Sequence, residues 1–183
     1  MDCPICEKTE LRAIDLEPAL PAHQCPSCAG VFLLSSTYRD WVFALPPADP
    51  PASADPAPPE WRAEPPGAKC CPRCAHLLLR YRVSVEIPFS LDLCGHCNSV
   101  WLDAGEWERL KQRQLHDDIH HMFTDAWQRR LRIALRRAAL GQIYAGKFGD
   151  ADYAEIRRIR AWLEAHPHVH ALRAYLTADD PYA

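Results

Sequence analysis

The chain has 183 residues, of which 25% are charged and 48% hydrophobic, with a formal net charge of −3, nine cysteines and seventeen prolines. This is globular composition and excludes both wholesale disorder and a supercharged nucleic-acid coat. The longest apolar runs are a few residues, as in Val31-Phe32-Leu33-Leu34, far short of the roughly 18 needed for a bilayer span.

In chain order, Met1-Asp2-Cys3-Pro4 shows neither a basic n-region nor an apolar h-region. We therefore expect no signal peptide and a reducing cytoplasm, where cysteines serve as metal ligands more often than as disulfides. Eight of the nine cysteines form four Cys-x-x-Cys pairs, at Cys3/Cys6, Cys25/Cys28, Cys71/Cys74 and Cys94/Cys97. Eighteen residues separate the first two pairs and nineteen the last two. Two thiolates on one tight turn can face one ion, and a second turn brought close by a hairpin completes a tetrahedron. Each quartet reads as one structural zinc site, two Zn2+ per chain. A redox dithiol would call for a βαβ surround, which none of the pairs has. Four-cysteine sites are closed, so these ions should hold structure and not activate water. Cys70 is left over, because Cys71-Pro72-Arg73-Cys74 reproduces Cys3-Pro4-Ile5-Cys6.

Residues 1–45 form the first unit. Its alternation is weak over Leu11 to Leu16 and is interrupted by Pro18 and Pro21. A short helix should start near Ser36. Residues 46–69 hold nine of the prolines and read as an extended linker reaching up to roughly 75 Å at about 3.1 Å per residue, enough to separate the ribbons. Trp61 within it is a candidate docking residue.

The second unit, residues 70–115, repeats the first at a spacing of about 68 residues. Val31, Phe32, Leu33 and Tyr38 match Val100, Trp101, Leu102 and Trp107. From Leu79 through Leu93, apolar residues (Leu79, Tyr81, Val83, Val85, Ile87, Phe89, Leu91, Leu93) alternate with Arg80, Arg82, Ser84, Glu86, Pro88, Ser90 and Asp92. That is a hairpin with one apolar face. Asp103 and Glu106 fit a capping box, with a helix from about Ala104.

Cys71-Pro72-x-Cys74 and Cys94-x-x-Cys97, followed by Val100-Trp101-Leu102-Asp103-x-Gly105-Glu106, resemble the bacterial zinc ribbon of the transcription-factor-IIB type. The likeness is close over some forty residues of the second unit. In the first it rests on Cys3, Cys6, Cys25, Cys28, Gly30 and Val31, a degenerate copy. The second unit departs from the pattern at Ser99, where glycine is usual, and at Ala75. The resemblance implies zinc-stabilised ribbons and, through the family's name, a link to transcription.

Residues 116–183 read as a helical module. Trp107, Leu110, Leu115, Ile119, Phe123, Trp127, Leu131, Leu135 and Ala138 make an apolar stripe, on one helix or on two broken near Thr124-Asp125. Asp152 with Glu155 opens a further helix carrying Tyr153, Ile156, Ile159 and Leu163. Pro167 suits the first turn of a last helix bearing Val169, Leu172, Tyr175 and Leu176. These helices should form a small bundle or pack against a partner, a second copy included.

Residues 1–105 carry 8 basic and 13 acidic side chains, and residues 106–183 carry 13 and 11. Arg129, Arg130, Arg132, Arg136 and Arg137, with no acid between them, are candidate contacts for nucleic-acid phosphates or an acidic protein. Pairing with acids of neighbouring helices is the other reading. His116 and His120 lie four apart, a little like a zincin pair with aspartate in place of glutamate, and His166, His168 and His170 form a second cluster. No phosphate loop, nucleophile elbow or dinucleotide fingerprint is present.

The fold class expected is small zinc-stabilised β ribbons plus α: two four-cysteine ribbons and a C-terminal helical module. The function expected is non-enzymatic, an interaction or adaptor protein meeting a protein partner through its ribbons and basic helix. A nucleic-acid-binding transcription accessory protein using Arg129 to Arg137 is the alternative, and a metal hydrolase using His116 and His120 the third.

Overall fold

The first ribbon consists of β1 (Arg12–Glu17), β2 (Leu20–Gln24) and β3 (Val31–Leu33), followed by helix α1 (Ser35–Ala44). Prolines do not prevent its hairpin. Pro18 lies in the turn beside Ala19, which takes a φ of 65°, and Pro21 pairs with Asp15 next to a register shift between Asp15 and Glu17. The second ribbon repeats the plan with β4 (Leu78–Arg82), β5 (Ser90–Cys94), β6 (Val100–Leu102) and α2 (Glu106–Gln112). Its strands are shorter than the alternation suggests, because the chain leaves β4 at Val83. The Ser84 hydroxyl accepts the N–H groups of Glu86 and Ile87 at 3.2 and 3.0 Å, a side-chain turn that competes with the ladder.

This computed structural model describes residues 1–46, 67–87 and 89–182. Most of the proline-rich segment, with Trp61, and Pro88 lie outside the described residues.

The ribbons are not separate bodies. Strands β3 and β6 pair antiparallel, with Val31 opposite Leu102, Phe32 opposite Trp101 and Leu33 opposite Val100. The result is one six-stranded sheet in the order β1-β2-β3-β6-β5-β4. Phe32 and Trp101 occupy equal places in the repeat, 69 positions apart, so this register is a pseudo-twofold axis through the pair. The expectation of two ribbons held apart by a linker is corrected here. In a lone ribbon the three-residue last strand would leave one edge of N–H and C=O groups unpaired, and joining the two edges satisfies both.

Period two then sorts the side chains. Val31, Leu33, Val100 and Leu102 join Leu20, Ala22, Leu91, Tyr38, Trp41, Trp107 and Leu110 in a core under the helices. Phe32 and Trp101 point to the other face, among Leu11, Leu78 and the cysteines.

Beyond α2 the chain does not continue as one helix. Gln114 adopts a φ of 53°, its N–H bonds to Lys111 O at 2.9 Å, and Leu115 N–H reaches Leu110 O at 2.8 Å. This is a Schellman ending without glycine. The one-turn α3 (Ile119–Met122) follows. The hydroxyl of Tyr38 donates to His116 O at 2.8 Å and accepts Ile119 N–H at 3.1 Å, tying this stretch to α1. Next comes α4 (Asp125–Phe148), whose start was expected near Thr124-Asp125. Thr124 Oγ accepts Trp127 N–H at 3.3 Å. Trp127 Nε1 donates to Val83 O at 3.0 Å and Gln128 Nε2 to Arg82 O at 2.9 Å, so the first turn of α4 is anchored to the second hairpin.

Two compact units result, Met1–Arg132 and Ile133–Ala183. Residues 116–132, expected in the helical module, belong with the sheet. The second unit contains the rest of α4, α5 (Asp150–Ala165) and α6 (Val169–Thr177). Gly149, at a φ of 83°, makes the one-residue joint between α4 and α5, where the rings of Tyr144, Phe148 and Tyr153 gather. No helix among the described residues is long and apolar enough to cross a membrane.

Candidate metal centres

The four Cys-x-x-Cys turns share one local geometry. The residue after each second cysteine is left-handed: Glu7, Ala29, Ala75 and Asn98 have φ of 55°, 59°, 58° and 56°. In each turn that residue's N–H bonds to the carbonyl of the first cysteine, at 2.9, 2.9, 2.8 and 2.8 Å. Backbone N–H groups also aim at the sulfurs, from Ile5 and Cys6 to Cys3 Sγ at 3.4 Å and from Cys28 to Cys25 Sγ at 3.5 Å. Such a turn points both thiols the same way and offers donors that favour their ionised form.

The sheet brings the turns together in pairs. Cys3, Cys6, Cys25 and Cys28 form one group and Cys71, Cys74, Cys94 and Cys97 another, with the sulfurs of each group all within 4.8 Å of one another. The closest approaches are 3.5 Å for Cys3 to Cys28 and 3.9 Å for Cys6 to Cys25. In the second group they are 3.5, 3.4 and 3.6 Å for Cys71 to Cys97, Cys74 to Cys94 and Cys74 to Cys97. A zinc tetrahedron with Zn–S bonds of about 2.3 Å has edges of about 3.8 Å, so both groups are of the right size. Cys70 is exposed and outside the group, which settles the register on Cys71.

The electrostatics fit a dication. Burial pushes the Cys71 thiol up to about 12. Burial also opposes ionisation of Cys97, but the Ser99 hydroxyl and N–H outweigh it and bring that thiol to about 6. Cys25 is likewise brought to about 7, against its burial, by N–H groups of its own turn. Burial raises Cys28 in the same tetrad. Donors of the turn thus favour the thiolate at one cysteine of each tetrad, while burial opposes it at a neighbour. Four thiolates this close need a cation between them, and Zn2+ supplies it.

Between the tetrads lie Phe32 and Trp101, both fully buried. Gly30 belongs to this contact: a Cβ there would stand 2.2 Å from Trp101 Cζ2. The matching residue in the second ribbon is Ser99, related by the pseudo-twofold to the smaller ring of Phe32. Ser99 is buried and its hydroxyl meets Cys97 Sγ at 3.3 Å. Serine therefore stands at the place that Gly30 holds in the first ribbon, with its hydroxyl against a cysteine of the tetrad.

A buried ion cluster supports the second ribbon. Lys69, only 5% exposed, donates to Asp92 at 2.6 Å and to Asp103 at 2.7 Å. Trp101 Nε1 donates to the other oxygen of Asp103 at 2.7 Å. The capping-box expectation is half right. Glu106 does accept Asp103 N–H at 2.8 Å, but the N-cap of α2 is Gly105, with no side-chain cap. The Asp103 carboxylate is occupied by Lys69 and Trp101. Lys69 falls in the stretch expected to be linker, and no local pattern marks it.

The histidines do not assemble. His116 falls between α2 and α3 and is therefore not one helical turn from His120 on a common face. Its ring lies 5.9 Å from both Trp41 and Trp107, while His120 lies beside Tyr38 and His121. Among the described residues, the two cysteine tetrads are the groups of three or more ligand atoms close enough for one metal. The rings of His166 and His168 lie 5.7 Å apart and belong to no such group. The premise of the hydrolase reading is thereby overturned.

Closed tetrathiolate sites on a sheet of short strands define a zinc-ribbon protein that binds two ions. Compared with known families, residues 2–44 match the transcription factor zinc-finger family, the zinc ribbon of the TFIIB type. That match falls on the ribbon read from sequence as the degenerate copy. No curated protein and no solved structure matches the chain.

Proposed function

We propose that the protein is a non-catalytic zinc-ribbon adaptor, associated with transcription as the family's description suggests, that binds an acidic protein segment along α4. The observation carrying this reading is the outer face of that helix. Arg129, Arg130, Arg132, Arg136 and Arg137 are all exposed, and none has an ion-pair partner among the described residues. By contrast, Arg158 and Arg160 pair in cis with Glu155 and Glu164. Arg129, Ile133, Arg136 and Leu140 follow one another at helical spacing on one face, with Ile133 and Leu140 47% and 45% exposed. Cations interleaved with exposed apolar side chains match an acidic amphipathic peptide better than a phosphate backbone, which rewards charge alone. The zinc sites are scaffold in this reading, since each has its four ligands and no open position.

The test is capture of partners by the tagged, zinc-loaded chain from native lysate, with and without nuclease. The same capture is run with Arg129→Glu together with Arg136→Glu. A protein partner that survives nuclease and is lost from the variant supports the reading. Capture abolished by nuclease replaces it with the nucleic-acid alternative, and capture unchanged in the variant refutes the role of α4.

A further inference from the structure

Where the two ribbons join, the chain leaves a cleft of about 210 Å³. Helix α1 lines it with Ser35, Tyr38 and Arg39, the second ribbon with Leu93 and Asn98, and the α3 turn with His120 and Phe123. Neither ribbon holds more than a part of it, so the cleft is a product of the β3–β6 pairing. Its walls are fixed from behind. The Tyr38 hydroxyl is held by His116 O and Ile119 N–H, and the Phe123 ring packs edge-on against Tyr81 at 5.2 Å. The Ser35 hydroxyl donates to Asn98 O. Asn98 itself is set by the zinc turn, at a φ of 56° with its N–H on Cys94 O at 2.8 Å.

Three polar side chains of this lining are unused. Arg39, Asn98 and His120 make no side-chain hydrogen bond or ion pair among the described residues, and no acid lines the cleft. Burial, and then the neighbouring His121, hold the His120 imidazole below its ordinary 6.5. At neutral pH it therefore contributes a hydrogen-bonding group and not a second cation. One guanidinium balances one negative charge, and its planar fork matches a carboxylate with two parallel bonds. Leu93, Phe123 and the ring of Tyr38 offer the rest of the lining to an apolar group. The volume exceeds the roughly 150 Å³ that admits a benzene ring and falls short of the roughly 300–1,000 Å³ of sites for drug-sized ligands. A nucleotide is too large, and a bare phosphate would leave the apolar walls without a partner.

We propose that this cleft binds a monocarboxylate bearing a short apolar group, with Arg39 on the carboxylate, Asn98 and His120 beside it, and the apolar group against Leu93, Tyr38 and Phe123. That chemistry belongs both to the last residue of a peptide chain and to a small free acid. The site is separate from α4 and does not rest on the role proposed for that helix. The zinc-loaded full chain is titrated with N-acetyl-leucine, N-acetyl-leucine amide, 4-methylpentanoate and inorganic phosphate, and the backbone amides are followed by NMR. N-acetyl-leucine should shift Arg39, Asn98 and His120 saturably, and its amide should bind at least about 10-fold more weakly. Arg39→Gln should lose at least about 10-fold in affinity. Asn98→Gly keeps a residue suited to the left-handed turn and should lose about 3-fold or more, with both zinc ions retained in each variant. Weaker binding of 4-methylpentanoate than of N-acetyl-leucine supports the site as a receptor for peptide ends, and equal binding supports it as a receptor for free acids. No saturable shift at these residues overturns the inference. So does an amide or a phosphate that binds as tightly as the acid, or an Arg39→Gln chain that binds like wild type.

Discussion

Replacing Gly30 with alanine tests whether the two ribbons share one rigid centre. The new Cβ would stand 2.2 Å from Cζ2 and 2.9 Å from Cη2 of Trp101, far inside contact distance, so one of the two must move. The indole is poorly placed to yield. It is fully buried, its Nε1 is bound to Asp103 at 2.7 Å, and Asp103 is itself held by Lys69. Overpacking in a confined core costs typically 1–3 kcal/mol, and the anchored ring puts Gly30→Ala at the upper end, about 3 kcal/mol. For a chain of this size that lowers the melting temperature by roughly 6–12 °C. The assay is urea and thermal unfolding of the zinc-loaded chain, followed by tryptophan fluorescence. Trp101→Phe should relieve the clash by removing the indole atoms Cζ2 and Cη2 that a Cβ at residue 30 would meet. In the double-mutant cycle, Gly30→Ala should cost at least about 1.5 kcal/mol less in the Trp101→Phe background. A Gly30→Ala chain within about 0.5 kcal/mol of wild type, the usual range for a surface change, would refute the shared centre.

Three further perturbations probe the rest of the first unit. Lys69→Ala leaves Asp92 and Asp103 facing each other in a buried site and should cost about 3–5 kcal/mol; a cost near that of an exposed ion pair in urea unfolding would show that the cluster is not load-sharing. Glu106 is held well above the usual carboxylate value of 4.5 by burial and then by the charge of Asp103, so the folded chain retains a proton that the unfolded chain releases. Stability from this group is complete below the unfolded pKa and is lost as pH rises towards the folded one. Glu106→Gln keeps an acceptor for Asp103 N–H and removes that loss, so its advantage over wild type should grow as pH rises above 4.5; a difference constant with pH refutes the assignment. Cys94→Ser should reduce bound zinc from two ions per chain to one and destabilise β5 together with its neighbour β6, detected by metal analysis and circular dichroism. Retention of two ions would contradict the four-ligand site.

How much could be read in advance depended on how local each feature is. The cysteine spacings, the repeat and the Thr124 N-cap were legible, because a tight turn, a duplication and a cap each lie within a few residues or repeat visibly. The ending of α2 was not, since Gln114 takes the left-handed conformation that glycine would have advertised. Lys69 was hidden for a different reason: its acids, Asp92 and Asp103, are 23 and 34 positions away. His116 and His120 looked like a helical pair only while the helix was assumed to continue.

The sequence by itself determined which thiols share an ion, and that two such sites exist, because tetrahedral zinc chemistry accepts few spacings. It also determined the division of charge and an arginine run with no acid between its members, while only the structure showed that those arginines have no ion-pair partner among the described residues. Only the tertiary structure decided that the two ribbons are one body. Pairing of β3 with β6 depends on two short edges meeting in register around Phe32 and Trp101, and nothing in either strand names its partner. Only the structure, too, showed that the core ends at Leu131, and burial is a property of neighbours, which a periodic pattern promises without saying where they come from.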